Sequence, residues 1–454
     1  MQTRQFDIVV MGAGTAGAAA AAFLAQAGRS VALVDARTLG TAGARWVNGV
    51  PPWMFDAAGV ERPVAPERRA VGAFVMTGIR GRARIRLDPS PVWAVDMRLL
   101  VARLQAMGST AGVEAFAPAR LGRVDLADGR PRALSLRLPE GEVRLEADLF
   151  IDASGLSGVL RRQVPLLARD CPAVSRDHLC TAAQYVYRVA DPAGAAAHLA
   201  AADVRMGDTL CRAGVSGGYS IANLTVDHDE VEILTGAIAR PPFHSGPALI
   251  AALRRSHPWI GDPLFGGASA IPLRRPYDRL GAPGVALLGN AACQVFSAHG
   301  SGIGVGLLAA RMLADTVAGA SDPGDRAVVW SYQAAFHRRL GPLLAAYDLF
   351  RRRSQSFDGA EVERLFEAGL LSEDSYRAGL LQRLPVPDVR EMAATLRAAL
   401  RSPLLTARMA PTFARFAPAV ALYRRAPDAP DDAALARWSR RVAKVFDEPP
   451  DLMP

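Results

Sequence analysis

Two stretches carry residues whose types and spacing can do chemistry. The first is Gly12-Ala13-Gly14-Thr15-Ala16-Gly17, with Asp35 eighteen residues beyond Gly17. Gly12 permits a tight turn after a strand, Gly14 lets backbone approach a pyrophosphate, and Gly17 lets a helix pack close to the strands. A helix opening at this turn offers free N–H groups and its positive dipole end to phosphates. Asp35, with Ala36 and Arg37 beside it, can accept hydrogen bonds from a ribose diol. An acid there disfavours a 2′-phosphate, so NADP is not the expected ligand. NAD and FAD both remain open on this motif. The second stretch is "GNAACQVFSAHGSGIG", residues 289–304. His299 directly precedes glycines that can bring backbone up to a ligand. It is the candidate acid or base; the alternative is a loop histidine satisfied by backbone groups.

These residues need elements to hold them. "FDIVVMGAGTAGAAAAAFLAQAGRSVALVDAR" predicts a buried parallel strand over 6–11, a glycine turn, a helix over 18–26 stopped at Gly28, and a second strand over 30–34. "GRARIRL" alternates like a sheet with one wet face. Residues 96–108 have helical spacing, and 144–155 read as a strand entering a small-residue turn. "AQYVYRVA", "GYSIANLTV" and "EVEILTGAI" read as antiparallel strands, and Tyr185, Tyr187 and Tyr219 there as packing residues. After the strand "GVALLGN" the chain turns helical, punctuated at Pro385, Pro387, Pro403, Pro411 and Pro418, with "APDAPDDA" as an exposed loop. The expected fold is α/β, with a Rossmann-like FAD-binding domain, an antiparallel β-sheet substrate domain and a helical C-terminal region. The expected divisions are 1–66, 96–165 and 271–339 for the first, 67–95 and 166–270 for the second, and 340–454 for the third.

The glycine turn, "FIDASGLSGVLRR" (150–162) and "GVALLGNAACQVFSAHGSGIGVGLLAARMLAD" (284–315) stand in the order found in the p-hydroxybenzoate-hydroxylase-like flavoproteins, and the chain resembles that superfamily. "GTAG" and "FIDASG" look most like its tryptophan-halogenase branch. The resemblance implies the glutathione-reductase type of FAD-binding domain and FAD as cofactor. It places Asp35 at the adenosine ribose and Arg98 near the pyrophosphate. Arg45, Trp46, Val47, Asn48, Gly49 and Val50 become a loop beside the isoalloxazine. Asn290 would hold the ribityl chain, and Gly300, Ser301, Gly302 and Ile303 would open a helix toward the flavin pyrimidine ring. Asn290 stands for the usual aspartate, Ser297 for proline and Gly158 for a serine, departures that would loosen FAD binding.

The resemblance leaves the reaction open. The main expectation is a monooxygenase that hydroxylates an aromatic substrate with oxygen activated at the flavin C4a position, His299 acting at the reacting edge. The substrate would be a small molecule, or a tryptophan side chain of a peptide or protein as in quinone-cofactor maturation. "RRRSQSFDGAEVERLF" and "RWSRRVAKVF" are a basic, aromatic-dotted docking face for such a partner, or else a helical cap on the sheet. Electrons would come from NAD(P)H or a separate reductase, because no second Rossmann motif is present. The alternative is a reductase saturating an isoprenoid-type alkene, since "GSGI" resembles that branch's "TGGGI". A halogenase is disfavoured, because Lys444 is the only lysine and the WxWxIP signature is missing. A flavin-binding protein without a reaction centre is the non-enzymatic reading.

Composition sets the outer bounds. The chain has 454 residues, half of them hydrophobic, enough for a large core in two or three units. The net charge of +9 is nearly all arginine, which reads as the mark of a GC-rich genome and leaves an acidic partner or anionic substrate open, with no nucleic-acid partner expected. Cys171, Cys180, Cys211 and Cys293 show no CxxC spacing, against a zinc cage or dithiol pair. No apolar run reaches the ~20 residues of a membrane span, and a strand begins at about residue 6 in place of a leader. The expectation is a cytoplasmic protein.

Overall fold

The computed structural model describes residues 2–386 and 388–452, so Pro387 lies outside the described residues. Strand Gln2–Met11 runs through the middle of an eight-stranded sheet, parallel to Gly141–Asp152 on one side and Val31–Val34 on the other. Glu114–Phe116 extends one side and Val285–Leu287 the other. Ile8, Val9 and Val10 are fully buried, which is why this strand reads as an unbroken apolar run. Helix Thr15–Gln26 packs by its alanines against helix Ile303–Val317. A hairpin of Arg120–Ala127 and Arg130–Leu138 adds antiparallel to Gly141–Asp152, and nothing in the sequence pattern set it apart.

The second sheet has seven strands, in the order Ile260–Pro272, Leu179–Val189, Glu230–Ile238, Ser220–Asp227, Thr209–Ala213, Phe74–Thr77 and Arg84–Leu87. Of residues 67–95, only the last two strands join it. Arg68–Arg69 and Trp93–Asp96 form a small third sheet with Val47–Val50. The expected loop at 45–50 is therefore mostly strand: Val47 pairs with Asp96 and Val50 with Trp93, and both valines are buried.

Helices beyond residue 340 close over the second sheet. Pro411 and Pro418 do not interrupt the chain; both lie inside helix Pro403–Arg424. They are exposed, and the carbonyls they leave unpaired, on Ala407 and Ala414, belong to exposed residues that water can reach. The loop at 426–433 ends early, because Asp431 caps helix Asp432–Phe446.

The basic run at 351–353 corrects the docking reading. Arg351 is fully buried; it binds Asp348 (2.5 Å) and donates to His178 Nδ1 (3.0 Å). Arg352 donates to Glu448 (2.6 Å), and Arg353 reaches Thr412 (3.2 Å). Arg274 holds Asp451 with two bonds (2.7 and 2.8 Å), and Arg275 holds Glu448 (2.7 Å) and Asp278. These charges fasten the C-terminal tail to the linker after strand Ile260–Pro272. In "RWSRRVAKVF" the arginines are exposed, but Trp438 and Phe446 point into the core.

Candidate active site

A cavity of about 1160 Å³ lies between the two large sheets and the C-terminal helices. Gly12, Gly14, Thr15, Ala16, Asp35, Ala36 and Arg37 line one part of it. Arg45, Trp46, Asn48, Gly49, Asn290, His299, Gly300, Ser301, Gly302 and Ile303 line the next. Residues widely separated in sequence thus converge on one space.

The turn is built as its glycines require. Gly12 has φ +113°, and a Cβ there would run into the Ala153 carbonyl. A Cβ on Gly17 would strike the Gly12 carbonyl, so Gly17 serves packing and does not line the cavity. Ala13 is also off the wall: its N–H donates to Asp35 Oδ2 (2.9 Å), while the Arg37 N–H donates to Oδ1 (2.8 Å). These bonds fix the carboxylate and leave it lone pairs for a diol. Val47 is buried in the third sheet.

Arg98 departs from its expected place. Asp96 caps helix Met97–Thr110 by accepting from the Arg98 N–H (3.0 Å), and the same carboxylate captures the guanidinium at 3.0 and 2.6 Å. The side chain stacks 3.3 Å over the Phe265 ring and does not line the cavity. From the same helix, Gln105 reaches the turn instead, donating to the Ala13 carbonyl (2.9 Å). An Asp immediately before a helix is a recognisable N-cap, so the capture of Arg98 had a visible signal.

Two helices begin at the cavity without a side-chain cap: Thr15–Gln26 after Gly14, and Ile303–Val317 after Gly302. Their first N–H groups have no intrahelical partner and suit phosphate oxygens and a polar ring edge. Ser301 Oγ and Asn223 Oδ1 are buried atoms on this wall with no partner among the described residues. Together with the fixed acceptor carboxylate of Asp35, these N–H groups and side-chain oxygens fit FAD. The "FIDASG" turn works through Asp152, which is fully buried and accepts from the N–H groups of Leu160 (2.9 Å) and Arg161 (2.8 Å). It thereby holds Ser154 and Gly155 on the wall, two lining residues the sequence reading missed.

His299 is half-buried beside the Phe296 ring (4.7 Å between centroids), with Nε2 at 3.2 Å from the Gly379 carbonyl. Burial pushes its pKa down to about 4. At neutral pH the ring is uncharged, with the Nε2 proton donated to Gly379 and Nδ1 left as an acceptor. Tyr219 lines the cavity and donates to the Ser297 carbonyl (2.8 Å). Burial raises its pKa well above the usual value, and raises the lining thiols of Cys180 and Cys211 to about 12. All three groups hold their protons at neutral pH.

The family described as FAD dependent oxidoreductase matches residues 7–163. The chain is an FAD-dependent oxidoreductase. A geranylgeranyl bacteriochlorophyll reductase-like protein of Thermoplasma acidophilum superimposes on the oxidoreductase with a TM-score of 0.72 at 15% identity, covering 90% of this chain and 100% of that one. A flavin-dependent brominase reaches 0.59 at 13% identity over 88% and 99%. At such identities both establish the fold alone, that of the p-hydroxybenzoate-hydroxylase-like flavoproteins. Digeranylgeranylglycerophospholipid reductase 1 of Methanopyrus kandleri is 24% identical over 71% of this chain and 82% of its own length. The Sulfolobus acidocaldarius digeranylgeranylglycerophospholipid reductase is 21% identical over 99% of both.

The rest of the cavity was not legible from motifs. Phe350, Leu365, Phe366, Leu371, Leu380 and Phe413 wall it from the C-terminal helices. Among the described residues, the only Asp, Glu, Lys or Arg side chains on the whole cavity lining are Asp35, Arg37 and Arg45. No helix in the described chain is long and apolar enough to cross a membrane, and no cluster of metal-ligating side chains is present among those residues.

Proposed function

We propose that this oxidoreductase saturates carbon–carbon double bonds of an isoprenoid-type chain. The uncharged, aliphatic and aromatic extension of the cavity carries the reading. A site that reads a small polar aromatic needs polar groups aimed at its substituents; a polyprenyl chain needs a dry wall of matching length. The cavity also exceeds the roughly 300–1000 Å³ of a usual small-molecule pocket, leaving space for both cofactor and chain. The digeranylgeranylglycerophospholipid reductases among its relatives support this reading over aromatic hydroxylation.

When bound and reduced, FAD supplies the hydride equivalent that such a reaction needs. The chain's part is to bind, orient and keep dry. Burying the substrate against Leu365, Phe366 and Leu371 contributes about 25 cal/mol per Å² of apolar surface. Tyr219 Oη and the thiols of Cys180 and Cys211 hold protons on the same wall. His299, neutral and bonded to Gly379, joins the cofactor side to the roof segment 379–385 and acts as a positioning residue in this reading. Electrons reach the cofactor from NAD(P)H or from a separate reductase.

The test is anaerobic. The FAD-loaded protein is photoreduced, then mixed with geranylgeranyl lipids or with electron-rich aromatics. Flavin reoxidation by the isoprenoid, with a product two hydrogens heavier, is the expected result. Inertness toward isoprenoids, with oxygen-dependent hydroxylation of an aromatic, would overturn the proposal in favour of a monooxygenase.

A further inference from the structure

Helix Val389–Arg401 lies outside the cavity and is turned the wrong way round for a globular surface. Val389, Met392, Leu396 and Leu400 recur at three- and four-residue spacing and are 76%, 54%, 62% and 73% exposed. Val386 before the helix is 90% exposed and Leu404 after it 83%. The buried residue of the helix is Ala398, half a turn round from that stripe. An ordinary amphipathic helix buries its large apolar side and wets the other; this one docks by an alanine and offers its large side chains to solvent.

One flank carries charge of a single sign. Arg390, Arg397 and Arg401, spaced seven and four apart, run along one edge of the stripe and are exposed. The helix's one acid, Glu391, is held at the N-terminus, where it and Asp388 close a capping box at 2.9 and 2.8 Å. The stripe also continues from the cavity lining. Leu384 and Pro385 line the cavity and lead directly into Val386; Phe413 lines it too and is 51% exposed.

An apolar stripe edged by arginines matches the boundary of an anionic bilayer, with aliphatic side chains among the acyl chains and guanidinium groups at the phosphates. We infer that helix Val389–Arg401 seats the protein on an anionic lipid surface, with Val386, Met392, Leu396, Leu400 and Leu404 inserted and the three arginines at the headgroups. The cavity wall at Leu384, Pro385 and Phe413 then lies beside the membrane. The inference concerns the surface and holds whichever reaction the cavity performs.

Flotation of the full FAD-loaded protein with vesicles tests it. Wild type binds vesicles of phosphatidylcholine mixed with phosphatidylglycerol, and binds pure phosphatidylcholine on the order of a hundredfold more weakly, from three arginines near the surface. L396D/L400D loses at least tenfold of the binding to mixed vesicles while keeping its FAD, since neither residue lines the cavity. R390Q/R397Q/R401Q loses the preference for anionic lipid. Wild-type protein that stays unbound with mixed vesicles, or an L396D/L400D variant that floats as well as wild type, overturns the inference. A dimer on gel filtration that the aspartates dissolve, without vesicle binding, overturns it too and gives the face to a second copy of the chain.

Discussion

Asp35 separates a cofactor contact from a merely structural acid. Its carboxylate accepts from the N–H groups of Ala13 (2.9 Å) and Arg37 (2.8 Å), and its side chain is 11% exposed, at the cavity. If the remaining lone pairs meet the adenosine ribose, removing the carboxylate costs a charge-assisted hydrogen bond of about 1.5–3 kcal/mol. That is about 10- to 150-fold in FAD affinity. Asp35→Asn keeps an oxygen for one N–H and should fall near the lower end. Asp35→Ala also strands the Ala13 N–H and should fall at or beyond the upper end. The assay is titration of apoprotein with FAD, ADP and riboflavin, followed by flavin fluorescence or calorimetry. FAD and ADP both carry the adenosine ribose and should weaken by the same factor; riboflavin lacks it and should bind unchanged. A lower melting temperature with ADP affinity intact would refute the ribose assignment and leave Asp35 as a brace for the turn.

Three further outcomes follow from the geometry. His299→Ala should retain FAD and lose most turnover, whereas His299→Gln, which can still donate to the Gly379 carbonyl, should restore much of it. Because the ring is already neutral, the rate profile between about pH 6 and 8 should keep its shape in all three proteins; a lost inflection in the alanine variant would instead make His299 an acid–base group. Leu371→Trp, at a half-buried lining position, should leave FAD binding intact and discriminate against long isoprenoids more than short ones in competition assays. Glu448→Gln should lower stability at neutral pH. Burial alone would raise the Glu448 pKa, but Arg275, Arg352 and Arg274 outweigh it and hold it at about 2 against an ordinary 4.5. A depressed carboxylate stabilises the fold fully above pH 4.5 and loses that contribution as pH falls toward 2; the difference is about 3 kcal/mol, or about 3 °C in melting temperature for a chain of this length. An unchanged melting temperature would mean that the buried arginines find other partners.

What could be read from the sequence was local. The glycine turn, the acid ending the second strand and the glycines around 300 act through backbone within a few residues, so their types already state their use. Arg98 was misplaced because its capture by Asp96 competes with any ligand, and a family position says nothing about that competition. Strand Ile260–Pro272 was not singled out because its Gly-Gly-Ala-Ser-Ala stretch has no alternation; pairing with Leu179–Val189 makes it a strand. The arginines at 351–353 read as part of a docking face because His178, Glu448 and Thr412, which receive them, lie far along the chain.

The C-terminal helices show the deeper limit. Leu365 and Phe366 face the cavity, Leu435 and Val442 face the core, and Leu396 and Leu400 face solvent, yet all arise from the same three- and four-residue spacing. Periodicity states that a helix has an apolar side; what that side meets is decided by where the helix is packed. On the proposed reading that choice carries the function. The FAD frame could serve several reactions, and the same frame underlies the brominase. The helices at 341–424 wall the space beside it with apolar side chains, and among the described residues helix Val389–Arg401 turns its apolar stripe outward, where the inferred lipid contact would form. On the proposed reading the two features act together, the first accommodating an isoprenoid chain and the second bringing the protein to the lipid that carries it.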